Sequence, residues 1–282
     1  MKGINNLIKD YICPDVKNEI SEDNLRENYD FKKGEDIYRY IKSLNNPSIN
    51  FLPLGHNILA EALGGNVSFP SNSTTRTGKA ICKSLDECLE LQNLEKKEFS
   101  QMTSEILKAI ELLKKDNIKL AIELSGPVGT LDGLVSLSNV FKAFRKDREK
   151  IDILFEKISD YTLNFTDLLS NMGVDIISFA DPSIGVKIVG EKVLTDLINS
   201  YYLSLIKKMS EITYGKSLIH TCPKLYLSFK ALGLIKEDTI FFEDEIKYKD
   251  ALLSLDKKSL TGARCINNLE QNVKSIKIFS LI

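Results

Sequence analysis

The sequence predicts an α/β fold, a (β/α)8 barrel with an N-terminal helical extension and a shortened C-terminus. Strand-like apolar runs recur with helical stretches between them, the pattern of βα units around a parallel sheet. The distinctive polar residues stand at the ends of those runs, where a parallel barrel carries its chemistry. A length of 282 residues suits one barrel, which needs about 250.

Residues 1–48 read as helical and charged, without a strand, and are expected to layer over a barrel built from residues 49–282. The strand-like runs are Ile49–Leu54, Ile118–Leu124, Val174–Ala180, Ser217–Thr221, Thr239–Glu243, Lys258–Gly262 and Ser275–Ile282, with Gly185–Val189 as a candidate eighth. Between them, Glu98–Lys115 carries Met102, Ile106, Ile110 and Leu113 at helical spacing, and Lys150–Asn171 and Glu191–Glu211 do likewise. The segment PSNSTTRTG (Pro70–Gly78) reads as a loop.

A hydrophobic content of 43% supports a sizeable core, and 38 basic against 39 acidic residues leave no global field to recruit nucleic acid or an anionic membrane. Charges break the N-terminal apolar runs before they reach signal-peptide length, and no stretch of about 18 apolar residues is present. A soluble, cytoplasmic protein is expected. The odd count of five cysteines agrees with a reducing compartment. Abundant Lys, Ile and Asn with no Trp suggest an AT-rich bacterial genome. Cys13 falls in the N-terminal layer, and the spacing of Cys82 and Cys88 suits neither a zinc knuckle nor a redox pair, so these are assigned to packing or surface positions. The run RKDREK (Arg145–Lys150) alternates in sign and reads as a solvated helix surface.

At the strand ends, His56 follows the first run, SGPVGT (Ser125–Thr130) the second, and Asp181 the run ISFA. His220 and Cys222 end SLIHTC, Glu243 ends TIFFE, and Cys265 follows SLTGAR. Two residues apart on an extended strand, His220 and Cys222 project to the same side, about 6.6–7 Å apart at the backbone. Imidazole nitrogen and thiolate sulfur are zinc donors, and a catalytic zinc keeps three protein ligands with one position open. Cys265 can supply the third if its strand adjoins theirs. The plainer reading is a chance pairing in which a buried Cys packs as a small hydrophobe. Asp181 has its own plain reading, a turn residue before Pro182, and His56 that of a helix N-terminal partner. The glycines of SGPVGT either admit backbone close to substrate or merely permit the turn.

Four stretches carry a family resemblance: LPLGHNILAEALGGNVSF (Leu52–Phe69), ELSGPVGTLDGL (Glu123–Leu134), GVDIISFADPSIG (Gly173–Gly185) and SLIHTCPKLYLSFKALGL (Ser217–Leu234). In order and spacing they resemble the uroporphyrinogen decarboxylase superfamily, and within it the zinc-dependent methylcobamide:coenzyme M methyltransferases, over Ile49–Ile246. The resemblance implies a uroporphyrinogen decarboxylase-like barrel with zinc on His220, Cys222 and a later cysteine. The downstream cysteine here is Cys265, in LTGARCINN where the family has Pro-Gly-Cys-Gly. It further implies that Glu243 can approach the zinc when substrate is absent. Asp181, Ser183 and His56 would orient substrate or corrinoid, with Ser125 and Gly126 at the turn beside them. The implied reaction moves a methyl group between a methyl-corrinoid (cobalamin) carried by a partner protein and a small thiol such as coenzyme M, with zinc lowering the pKa of the thiol. Two alternatives stand beside it. One is a tetrapyrrole decarboxylase, for which the arginine pattern Arg-x-x-Gly-Arg-Tyr is missing; the other is a non-catalytic corrinoid- or tetrapyrrole-binding accessory protein.

Overall fold

The run LAIELS is buried at every position, as a strand covered on both faces must be. The computed structural model describes residues 29–46, 48–52, 57–68, 76–96 and 99–282. In chain order its strands are β1 (Asn50–Phe51), β2 (Val67–Ser68), β3 (Arg76–Thr77), β4 (Leu120–Ser125), β5 (Ile176–Ala180), β6 (Leu218–Thr221), β7 (Ile235–Lys247), β8 (Leu260–Thr261) and β9 (Asn272–Leu281).

Seven of these form one sheet in the order β1-β4-β5-β6-β8-β9-β7, and β2 with β3 makes a separate ribbon. Neighbours from β1 through β8 pair in parallel. Helices Leu137–Lys146 and Arg148–Asn171 fill the crossover from β4 to β5, and a helical stretch from Glu191 to Ile212 fills that from β5 to β6. This is the arc of an α/β barrel, as the sequence pattern predicts. Beyond β8 the expectation changes: β9 pairs antiparallel to β8, and β7 antiparallel to β9.

The two faces of the arc are chemically distinct. Leu120, Ile122, Leu124, Ile177, Phe179 and Ile219 belong to the core shared with the helices. Ala121, Ile176 and Leu218 face the other way, toward the barrel interior, and pack with Ala251 and Leu252 of the helix Tyr248–Leu253. Outside, helix Gln101–Lys115 starts where the Ser100 hydroxyl accepts the Thr103 N–H at 3.0 Å, and it ends on Lys114 and Lys115, a cap and a charge placement that both favour it. Ile106, Ile110 and Leu113 form its buried stripe. Helix Gly34–Ser43 buries Ile37, Tyr40 and Ile41 in the same core, and the Gly34 N–H donates to Glu105 at 2.8 Å.

Three expected elements differ. Gly185–Val189 is not a strand: Val186–Val189 is a helical turn, closed by Gly190 at a φ of 79°. Three apolar residues around Lys187 satisfy either period, and flanking glycines decide it. Thr239–Glu243 lies inside β7, whose outer positions alternate between exposed and half-buried, the mark of a one-sided antiparallel strand. The helical stretch Glu191–Glu211 is interrupted by a π-helical turn at Ile198–Tyr202. Among the described residues, no helix is long and apolar enough to cross a membrane.

Candidate active site at the strand ends

Strand register builds the site. Glu123 on β4 stands beside Ser178 on β5, which stands beside His220 on β6, which stands beside Thr261 on β8. Partners in register share a face, so these four side chains form one polar row on the interior side, directly above the apolar row Ala121–Ile176–Leu218. One step further toward the C-terminal ends come Ser125 and Ala180. Cys222 follows there, its N–H donating to the Phe179 carbonyl at 2.9 Å.

His220 is fully buried. Its Nε2 lies 2.9 Å from the Arg264 carbonyl and its Nδ1 3.1 Å from the Ser178 hydroxyl. A carbonyl only accepts, so Nε2 carries the proton, and Nδ1 of the neutral ring accepts from Ser178. Burial pushes the imidazole down to about 4, which keeps it neutral at pH 7. The Arg264 carbonyl also accepts from the Tyr248 hydroxyl at 3.2 Å. Gly262 permits the close approach of the segment after β8, because a Cβ there would meet Thr221 Oγ1 at 2.1 Å.

Cys222 is half-buried. Burial pushes its thiol up to about 11, although the N–H groups of Leu225, Asp181 and Lys224 face the sulfur and pull the other way. The group is a thiol at neutral pH.

Asp181 is buried at the end of β5. Its carboxylate accepts from the Tyr202 hydroxyl and from the N–H groups of Gly129 at 3.1 Å and Ser183 at 3.2 Å. Burial nonetheless raises it to about 6. Tyr202 reaches it from the end of the π-helical turn. Gly126 makes room, since a Cβ there would lie 2.5 Å from Asp181 Oδ2 and 2.8 Å from Tyr202. The Ser183 hydroxyl donates in turn to Asp132 at 3.4 Å. Asp181 therefore ties the segments that follow β4 and β5 to the π-helical turn.

Of the residues singled out from sequence, Ser125, Gly126, Asp181, Ser183, His220 and Cys222 gather at the ends of β4, β5 and β6. His56 lies outside the described residues. Cys265 follows the residue whose carbonyl touches His220, so its segment does reach the site. Glu243 does not. The residue level with His220 across β8, β9 and β7 is Asp238, five positions before Glu243, which is about 16 Å along a strand. Glu243 is also exposed, because β7 is an edge strand and not the next parallel strand of the barrel. Glu123, Ser178, Tyr202, Tyr248 and Arg264 were not singled out. Glu123 had a legible signal, a charge inside an apolar strand; the others depend on strand neighbours.

The donor types fit zinc, but their arrangement does not. Among the described residues, no three His, Cys, Asp or Glu side chains are gathered to hold a metal ion. The Nε2 of His220 presents a proton to a carbonyl, and its Nδ1 lone pair is taken by Ser178.

A family model described as Uroporphyrinogen decarboxylase (URO-D) matches residues 50–264. No curated protein matches the sequence. Among solved structures, a methyltransferase from Methanosarcina mazei is similar at 17% identity with a TM-score of 0.57, over 71% of this chain and 60% of that one. The likeness is one of fold.

Proposed function

Because the chain belongs to the uroporphyrinogen decarboxylase family, we propose that it is a methyltransferase acting at the interior mouth of β4, β5 and β6. It moves a methyl group between a methyl-corrinoid carried by a partner protein and a thiol such as coenzyme M. The observation that carries this reading is His220 at the end of β6 with Cys222 two residues on, where the strand hands over to helix Pro223–Ala231, the pair that resembles the methyl-transferring branch. The activity named for the Methanosarcina mazei structure is in keeping with it.

The acid–base chemistry belongs to the polar row. An acceptor thiol must lose its proton before it attacks a methyl group. Glu123 is buried in that row, beside Ser178 and two strands from His220, and it is the group we assign to take that proton. His220, held neutral, positions Ser178 on one side and the Arg264 segment on the other. Cys222 lies at the rim, where a substrate enters. The same rows argue against decarboxylation of a tetrapyrrole: Ala121, Glu123, Ser125, Ile176, Ser178, Ala180, Leu218, His220 and Cys222 include no lysine or arginine to hold its carboxylates.

The test is methyl transfer from methylcobalamin to coenzyme M, with and without a chelator, beside turnover of a porphyrinogen. Methyl transfer that falls at least tenfold in Glu123→Gln is the expected result. Porphyrinogen decarboxylation without methyl transfer would overturn the proposal, and so would activity unaffected by Glu123→Gln.

A further inference from the structure

Lys224 stands at the rim of the site, in a position that helix electrostatics disfavours. Cys222 is the N-cap of helix Pro223–Ala231, so Lys224 is the second residue of the first turn, and no acidic residue shares that turn. The N-terminal end of a helix already carries partial positive charge, and a cation there costs stability. The side chain is nonetheless half-buried. Its Nζ lies 3.9 Å from where a Cβ on Gly185 would stand. Gly185 closes the turn Pro182–Ile184, which Asp181 caps at the end of β5. Lys224 therefore starts at the end of β6 and carries its ammonium across to the end of β5. Among the described residues no carboxylate pairs with it. The Arg264 guanidinium, by contrast, is engaged: it donates to Gln271 at 2.7 Å and lies 5.8 Å from the centre of the Tyr248 ring.

We propose that Lys224 holds the anionic group of the acceptor, and so restricts acceptors to small thiols that carry a negative charge at the end away from the sulfur. This rests on the methyl-transfer reading above. The charges of the site orient such a molecule. Glu123 is buried in the interior row and repels an anion, whereas Lys224 attracts one at the rim. The sulfur end is therefore the one that enters, toward the group that takes its proton, and the anionic end stays outside.

One ammonium matches one sulfonate, carboxylate or phosphate, and a half-buried ammonium holds it more firmly than a fully exposed one would. The group it touches does not react. Lys224 then stabilises the bound acceptor and the transition state alike, so its loss belongs in KM and not in kcat. A residue that merely supported the fold would have no reason to distinguish a charged thiol from a neutral one.

Two measurements on the full chain test this, equilibrium binding and methyl transfer from methylcobalamin, each with anionic coenzyme M and with neutral 2-mercaptoethanol. Wild type is expected to prefer coenzyme M by about tenfold in both. Lys224→Gln should lose that preference through a roughly tenfold rise in KM for coenzyme M at unchanged kcat, while Lys224→Arg keeps it. Lys187→Gln removes an exposed charge two residues after Gly185 and should leave the preference intact. Equal binding of the two thiols by wild type would overturn the proposal without any variant, and so would a preference that survives in Lys224→Gln. Methyl transfer to both thiols alike would overturn it too, yet leave the reaction standing. A binding preference that Lys224→Gln abolishes, in a protein that transfers no methyl group, would uphold Lys224 as the partner of the anion and sink the methyl-transfer reading instead.

Discussion

His220 donates its Nε2 proton to the backbone carbonyl of Arg264 at 2.9 Å. That bond joins the end of β6 to the segment leaving β8, and it fixes the tautomer with which the ring meets Ser178. One contact thus decides both how the mouth is closed and what the imidazole can do there.

The first prediction concerns pH. The unfolded chain protonates His220 below about 6.5, the folded one only below about 4. Between those values the unfolded state holds more protons, so this residue's contribution, about 3 kcal/mol, is lost as pH falls. Asp181 works in the opposite sense. Its folded value of about 6 exceeds the unfolded value, so the folded state takes the proton first and gains about 3 kcal/mol over nearly the same window. The two nearly cancel in the native protein. Urea unfolding from pH 7 to pH 4 should therefore show His220→Gln gaining stability relative to wild type on acidification, and Asp181→Asn losing it.

A second prediction concerns Gly126. Its replacement by alanine drives a methyl group to 2.5 Å from Asp181 Oδ2 and into the Tyr202 ring, an overpacking that costs about 1–3 kcal/mol. Gly190→Ala has nothing within 4 Å to meet and strains only its positive φ. It should cost about 1 kcal/mol. Thermal melts of the two variants should separate these causes, and equal losses would contradict the close packing of Gly126 on Asp181.

Asp175 gives a third. It is 4% exposed at the side chain and pairs with Lys114 at 2.9 Å, with Lys257 and Lys119 further out. Burial alone would raise its pKa, but Lys114 and the Leu120 N–H outweigh burial and hold it below the ordinary value. A depressed carboxylate stabilises above its unfolded pKa and loses that contribution as pH falls through the folded one. Asp175→Ala should cost about 3 kcal/mol at pH 7. The gap to wild type should shrink below pH 4.

The fourth concerns metal. With the described donors apart and His220 tied on both sides, folding does not call on zinc. Dialysis against a chelator should leave the melting temperature unchanged. One zinc per chain, lost together with several degrees of melting temperature in Cys222→Ala, is the outcome that would show His220, Cys222 and Cys265 closing on a metal.

The parallel arc was legible because β4, β5 and β6 are apolar runs that end in polar residues, and that pattern is local. The last third was not. Thr239–Glu243 reads as one more barrel strand until β9 is seen to pair between β8 and β7, a non-local choice that removes Glu243 from the mouth. Likewise, the position of His220 at the end of β6 was local, whereas the Arg264 carbonyl at Nε2 depends on a turn 44 residues away.

Methyl transfer from methylcobalamin to coenzyme M by the purified chain, measured for wild type and Glu123→Gln at matched melting temperature, tests the central claim most directly. The account predicts turnover by wild type and a loss of about 100-fold in the variant, the scale expected when a group at the reacting site is removed. Absence of transfer by wild type, or equal rates in the two proteins, would contradict it.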